Sequence, residues 1–328
     1  MPPDNLPTAP EQPTTNSVDV HEHLFMMRFV PRIIGGLFIL VSFFVGALLI
    51  QKQEVLAPTQ ATEIETTNVR DVFAGLTLEA QAAIVWDAKE KQALFGREQS
   101  RVLPLASVSK VVTALAARAV IVEDAIITIS PNALGTLGES GLTQGERWLR
   151  DDLITFMLVT SSNDAAIALA EHYDTHREVG SVDFVWHMND IARDTENTDV
   201  VFVNPSGLDE GEEIPMNRGS AESVARLFAY ALQTIPDLID TTRFKEGSIT
   251  SLDRTHTIQN TNTIIDDIPL AIGSKTGFTD SAGGNLVLSY DATIGHPVVI
   301  VVLGSSREGR FTDMKALIEK TTDYFALH

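Results

Sequence analysis

From Ile33 to Ile50 the chain runs eighteen residues without a charge (IIGGLFILVSFFVGALLI), and no other feature so limits where the rest can fold. At 1.5 Å per residue such a helix spans about 27 Å, enough to cross the hydrocarbon of a bilayer once. Apolar on every side and flanked by polar segments, it has no core to enter, so residues 33–50 read as a transmembrane helix. Residues 1–32 open with five prolines among Asn, Thr and acids and read as a disordered tail. Arg28 and Arg32 precede the run while Lys52 and Glu54 follow it, which places the tail in the cytoplasm and everything beyond residue 50 outside. Val45 and Ala47 could form a cleavage site only inside the apolar run, so the segment reads as an uncleaved anchor. Residues 51–70 are polar and Thr-rich, a linker reaching about 60 Å at full extension. That leaves 71–328 as the expected folded domain.

The charge balance, 44 acidic against 24 basic residues, argues against a nucleic-acid partner, because phosphate binding draws its affinity from clustered Lys and Arg. Four acids and two arginines precede Ile33, so −18 of the total −20 falls beyond it and keeps the exported part soluble. The absence of cysteine removes disulfides, thiol nucleophiles and thiolate metal sites together. Covalent catalysis in this chain must use a hydroxyl, amine, carboxylate or imidazole.

Within the exported part, Ala82–Asp87 and Gln92–Gly96 flank the polar turn AKEK and predict a hairpin. Helical spacing follows over Ala106–Val120, Arg150–Val159, Asp164–His172, Val182–Thr195 and Ala221–Thr234. Ala271–Thr276, Asn285–Tyr290 and Pro297–Gly304 predict strands, and Thr312–Phe325 a closing helix. Strands at both ends with helices between predict an α/β (α+β) fold: one antiparallel sheet built from N- and C-terminal strands, helices on both faces, and a helical middle region.

Three short patterns carry the chemistry. Ser107 and Lys110 stand one turn apart at the start of the first long helix, so hydroxyl and amine share a face as a nucleophile and base pair. A helix N-terminus would disfavour the ammonium and favour negative charge at Ser107. An S-x-x-K match is common by composition alone. Ser161 and Asn163 close one helical pattern and open the next, where hydroxyl and amide can relay a proton and bind a substrate amide, or merely cap a helix. Ser130 and Asn132 repeat that spacing in a turn context and are discounted. Lys275, Thr276 and Gly277 lie on a strand, where cation and hydroxyl can meet a carboxylate; a lysine on an edge strand is otherwise a solubilising charge.

The order S-x-x-K, S-x-N, K-T-G is a signature of serine β-lactamases and penicillin-binding proteins. With LPLASVSKVVTAL, SGLTQGERWLRDDLITFMLVTSSNDAAIALAE, FVNPSGLD and GSKTGFTDSAGGNLVLS, the chain from about residue 70 onward resembles the serine D-alanyl-D-alanine carboxypeptidases of low-molecular-mass penicillin-binding type, peptidase family S11. The resemblance implies a β-lactamase/transpeptidase-like fold, no cofactor and no metal. By it, Ser107 is the acyl-ester nucleophile, Lys110 its base, and Ser161 and Asn163 the relay and orienting pair. Lys275 and Thr276 bind the terminal carboxylate, Gly277 lets the substrate approach the strand edge closely, and the backbone N–H groups of Ser107 and Phe278 form the oxyanion hole. The implied partners are peptidoglycan stem peptides ending in D-Ala-D-Ala, β-lactam antibiotics as acylating inhibitors, and the membrane.

Two departures stand out. Ser162 occupies the middle position where the family usually has Gly, which is expected to narrow the pocket, and the separate C-terminal β domain of some relatives is not expected here. Competing readings are a D,D-endopeptidase on cross-links, a β-lactamase using Glu213 (E-x-x-x-N to Asn217), and a catalytically silent cell-wall-peptide binder. His172 and His176 beside Glu171 have a zinc-like spacing without a nearby third ligand, and Trp86, Trp148 and Trp186 are expected to pack rather than stack a ligand.

Overall fold

The computed structural model describes residues 72–138, 140–209 and 216–327. The expected tail, transmembrane helix and linker lie outside these residues, as does Glu213. Among the described residues no helix is long and apolar enough to cross a membrane.

Strands β1 (Ala82–Asp87) and β2 (Gln92–Arg97) form the expected hairpin. A two-residue strand β3 (Leu103–Pro104) follows, then a 3-10 turn over Ala106–Ser109 and helix α1 (Lys110–Val120). Strands β4 (Ile126–Thr128) and β5 (Arg147–Leu149) pair before helices α2 (Arg150–Thr160), α3 (Asn163–His176) and α4 (Phe184–Asp194). Short β6 (Arg218–Gly219) pairs with β3 and leads into α5 (Ala221–Thr234) and α6 (Pro236–Asp240). A hairpin of β7 (Glu246–Thr250) and β8 (Thr255–Gln259) precedes β9 (Ala271–Thr279), β10 (Gly283–Thr293), β11 (His296–Ser305) and α7 (Gly309–Leu327).

The main sheet is antiparallel with order β2-β1-β11-β10-β9, so the first and last strands of the described residues meet at β1 and β11, Ile84 opposite Val301. Alternation decides what each face buries. Ile84, Trp86, Val287, Val299, Val301 and Leu303 join the core of the helical middle region. Their neighbours Val85, Leu286, Leu288, Ile300 and Val302 pack against Phe311, Met314 and Leu317 of α7. Covered on both faces, β11 reads as an almost continuous apolar run, and β10 carries Leu286, Val287 and Leu288 in succession. Lys275 pairs across β9–β10 with Val287, and cross-strand partners share a face, so the sheet turns residue 275 toward the helices.

The expected single helix over Ala106–Val120 begins four residues late. Ala106 has φ of 48°, a left-handed backbone that no α-helix accommodates, and the Ser109 hydroxyl donates to its carbonyl at 2.8 Å. Of the tryptophans, Trp148 and Trp86 are buried, whereas Trp186 is 42% exposed beneath the Arg193 guanidinium.

Candidate active site

Lys110 is the first residue of α1 and is fully buried. Its Nζ lies 2.8 Å from Ser107 Oγ and 2.7 Å from Asn163 Oδ1, and it also bonds the carbonyl of Ser206. The Asn163 orientation is fixed from its other end, where Nδ2 donates to the Leu137 carbonyl at 2.7 Å. Two of the three neighbours of Nζ are therefore carbonyl oxygens that only accept. Each must take an N–H, so in the neutral amine the remaining lone pair faces the Ser107 hydroxyl. Burial first, then the charge of Lys275, holds Lys110 well below the ordinary lysine range. The electrostatics therefore come from desolvation and a second lysine, and Ser107 sits in the 3-10 turn rather than inside the α-helix.

Lys275 forms the opposite wall. It is 2% exposed, so it is no solubilising edge charge. Its Nζ donates to Ser161 Oγ at 2.8 Å and to the Thr276 carbonyl at 2.9 Å. Burial, and then the nearby Arg310, lower its pKa from 10.5 to about 7. Ser161 reaches it because the residue ends α2 in the left-handed conformation, φ 63°, which turns the chain between α2 and α3. Gly277 lets strand and turn meet: a Cβ there would stand 3.2 Å from Ser107 N, 3.1 Å from Val108 N and 2.9 Å from the Leu105 carbonyl. The turn bearing Ser107 thus lies directly against β9, ahead of Phe278.

The expected effect of Ser162 on the pocket is not found. Its hydroxyl accepts from Ala165 N at 3.0 Å and caps α3, so the extra hydroxymethyl group is spent on the helix end. Ser130 and Asn132, the discounted copy, both bond the Glu171 carboxylate. His172 and His176 stack with ring centroids 4.3 Å apart, and the described residues hold no group of three or more His, Cys, Asp or Glu able to bind a metal.

Several supporting groups were not singled out by sequence. The Ser206 carbonyl holds Lys110 from a loop where Gly207, φ 75°, leaves no room for a Cβ beside the Ala106 carbonyl. Buried Asn285 donates to the carbonyls of Pro104 and Leu105 at 2.9 and 3.0 Å and accepts from Gly304 N at 2.8 Å, tying β10 and β11 to the Ser107 turn. Arg310 of α7 donates to the Gly277 carbonyl at 2.7 Å. Ser206 and Asn285 fall inside the quoted FVNPSGLD and SAGGNLVLS stretches, which were the available signal; nothing in the local sequence marked Arg310.

A serine beside a buried lysine, facing a second, strand-borne lysine on an antiparallel sheet that joins the first and last described strands, defines a serine hydrolase of the penicillin-binding class. The family profile of D-alanyl-D-alanine carboxypeptidase, peptidase S11, matches residues 66–307, and the chain belongs to that family. A D-alanyl-D-alanine endopeptidase of Pseudomonas aeruginosa is 29% identical over 255 residues, 73% of this chain and 76% of that protein. The carboxypeptidase DacA of Haemophilus influenzae is 30% identical over 171 residues, 51% of this chain but 40% of its own length. Among solved structures, penicillin-binding protein D2 of Listeria monocytogenes in its ampicillin-bound form superposes with a TM-score of 0.66 at 28% identity, covering 75% of this chain and 98% of that one. The same Listeria protein has also been solved with cefotaxime.

Proposed function

We propose that the protein is a membrane-anchored, extracytoplasmic D-Ala-D-Ala carboxypeptidase that trims peptidoglycan stem peptides through an acyl-enzyme on Ser107. The observation that carries this reading is the set of partners around Lys110 Nζ, which in the neutral amine leaves the one lone pair for Ser107 Oγ. Ser107 Oγ attacks the carbonyl of the penultimate D-Ala while its proton passes to Lys110. The backbone N–H groups of Ser107 and Phe278 receive the tetrahedral oxygen. The departing D-Ala amine regains a proton from Lys110 by way of Ser161, which bridges toward Lys275. Water then attacks the ester by the reverse proton path. Lys275 and Thr276 hold the terminal carboxylate, and β-lactams acylate the same serine. The folded domain over 71–328 is carried on the linker 51–70 and the apolar run 33–50, with residues 1–32 in the cytoplasm.

The test is covalent labelling with a penicillin, read by intact mass, beside D-Ala release from a peptide ending in D-Ala-D-Ala. One adduct on the wild type and none on Ser107→Ala is expected; an adduct on the variant would sink the assignment. A long-lived adduct fits the peptidase, and rapid turnover fits a β-lactamase. A second reading, D,D-endopeptidase, draws support from the larger share of the Pseudomonas endopeptidase that the chain matches. Digestion of purified cross-linked muropeptides separates the two, since only the endopeptidase converts dimers to monomers.

A further inference from the structure

Between β8 and β9 the segment Asn260–Thr261–Asn262 runs beside the end of α2 and beside β9, and its two asparagines are buried. Asn260 Nδ2 donates to the carbonyls of Thr242 and Phe244 at 2.7 and 3.1 Å, and its Oδ1 accepts from Asn262 N at 2.8 Å. Asn262 Nδ2 donates to Ser274 Oγ at 3.0 Å, and its Oδ1 accepts from Ile264 N at 3.2 Å. Between these clamps, Thr261 N donates to the Val159 carbonyl near the end of α2 at 3.4 Å. The Thr261 hydroxyl meets the Thr276 hydroxyl at 2.6 Å. Thr261 therefore touches both walls: the helix that delivers Ser161 and the strand that delivers Lys275.

We propose that Thr261 is a positioning residue for the substrate carboxylate: clamped by Asn260 and Asn262, its hydroxyl donates to Thr276 Oγ1 and leaves the Thr276 proton for the ligand. The inference rests on the reading of Lys275 and Thr276 as the carboxylate site. In the empty protein either hydroxyl can donate to the other. A bound carboxylate is acceptor-only, so it takes the Thr276 proton, and the 2.6 Å contact then survives only with Thr261 as donor. The result is a one-way chain, Thr261 to Thr276 to carboxylate, in which each bond polarises the next. The buried amides on both sides hold the backbone that carries Thr261. Thr261 touches no reacting atom, so its effect falls on substrate capture more than on the chemical step.

The experiment compares kcat and KM for one peptide ending in D-Ala-D-Ala with a free carboxylate and for the same peptide amidated, using wild type, Thr261→Val, Thr261→Ala and Thr261→Ser. Loss of one hydrogen bond in the chain predicts that the Val and Ala variants raise KM for the acid about three- to tenfold, with kcat changed much less and the amide unaffected. Thr261→Ser is expected to restore the wild-type value. Unchanged KM in both the Val and Ala variants, an equal rise for acid and amide, or failure of Ser to restore KM would each overturn the proposal. A wild type that does not distinguish acid from amide instead defeats the carboxylate site itself. Discrimination retained undiminished in Thr261→Val and Thr261→Ala defeats only the role of Thr261.

Discussion

Two buried lysines face each other across the crevice, and they differ in what their neighbours can accept. Lys110 is enclosed by two carbonyl oxygens and one hydroxyl, so its amine is complete only when it hands its last position to Ser107. Lys275 has a hydroxyl and one carbonyl and leaves a donor for an incoming ligand. Burial is the first cause of the lowered pKa of each, and a neighbouring cation the second: Lys275 for Lys110, Arg310 for Lys275. The same physics thus prepares one lysine to take a proton and the other to meet an anion, the difference lying in which groups surround the nitrogen.

The sharpest way to break this comparison is to truncate each lysine. Lys110→Ala removes the group proposed to take the Ser107 proton and is expected to lower kcat by about a thousandfold or more, whether or not the substrate carries a carboxylate. Lys275→Ala is expected to cost about a hundredfold in kcat/KM on a free-carboxylate peptide and far less on its amide, since the loss is a charge-assisted contact. Equal losses on acid and amide in the second variant would erase the distinction.

A smaller effect follows from pH. With the Lys275 pKa at about 7, its ammonium is lost from the free protein as pH rises through that value. For acid substrates kcat/KM should therefore fall above about pH 7, while the amide's should not show this limb. Stability moves the other way. The unfolded lysine titrates near 10.5, so between about 7 and 10.5 the unfolded chain binds more protons than the folded one. Its contribution therefore makes the protein more resistant to denaturant as pH rises through that window. Urea midpoints at pH 7 and 9 in wild type and Lys275→Met test the sign; the wild type should gain more from the rise.

The smallest effects concern residues that imitate site positions. Ser162→Ala removes the α3 cap and is expected to cost about 1 kcal/mol of stability with little change in kcat. Ser130→Ala, in the copy whose side chains hold Glu171, should leave kcat and KM unchanged. A large loss of activity in Ser130→Ala would mean that the two S-x-N stretches had been assigned the wrong way round.

The main elements were legible because each is a run rich in apolar residues bounded by polar or turn residues. The strands of the large sheet and the helices from Lys110 onward fall within a few residues of their apolar patterns, and even the strand pairing follows from strands lying at both chain ends. The β7–β8 hairpin was not expected: its residues THTIQ and EGSIT are mostly polar, and only Ile258 among them is buried. The start of α1 was misjudged because the left-handed backbone at Ala106 leaves no mark on the identity of an alanine. In the site, the side chains that spell the three motifs could be read. The groups that hold them could not: a main-chain carbonyl such as that of Ser206 has no letter of its own. Arg310 gains its role only through the packing of α7 on the sheet.

The most direct test of the difference between the two lysines is the protonation state of Lys110 itself. Lysine side chains labelled with nitrogen-15, with the Nζ resonance assigned by its loss in Lys110→Met, give that state by NMR across a pH titration. The account predicts that the ammonium gives way to the neutral amine well below the pH at which an ordinary lysine loses its proton. An Nζ that stays an ammonium up to pH 10 would contradict it, because a lysine so held has no lone pair to offer Ser107.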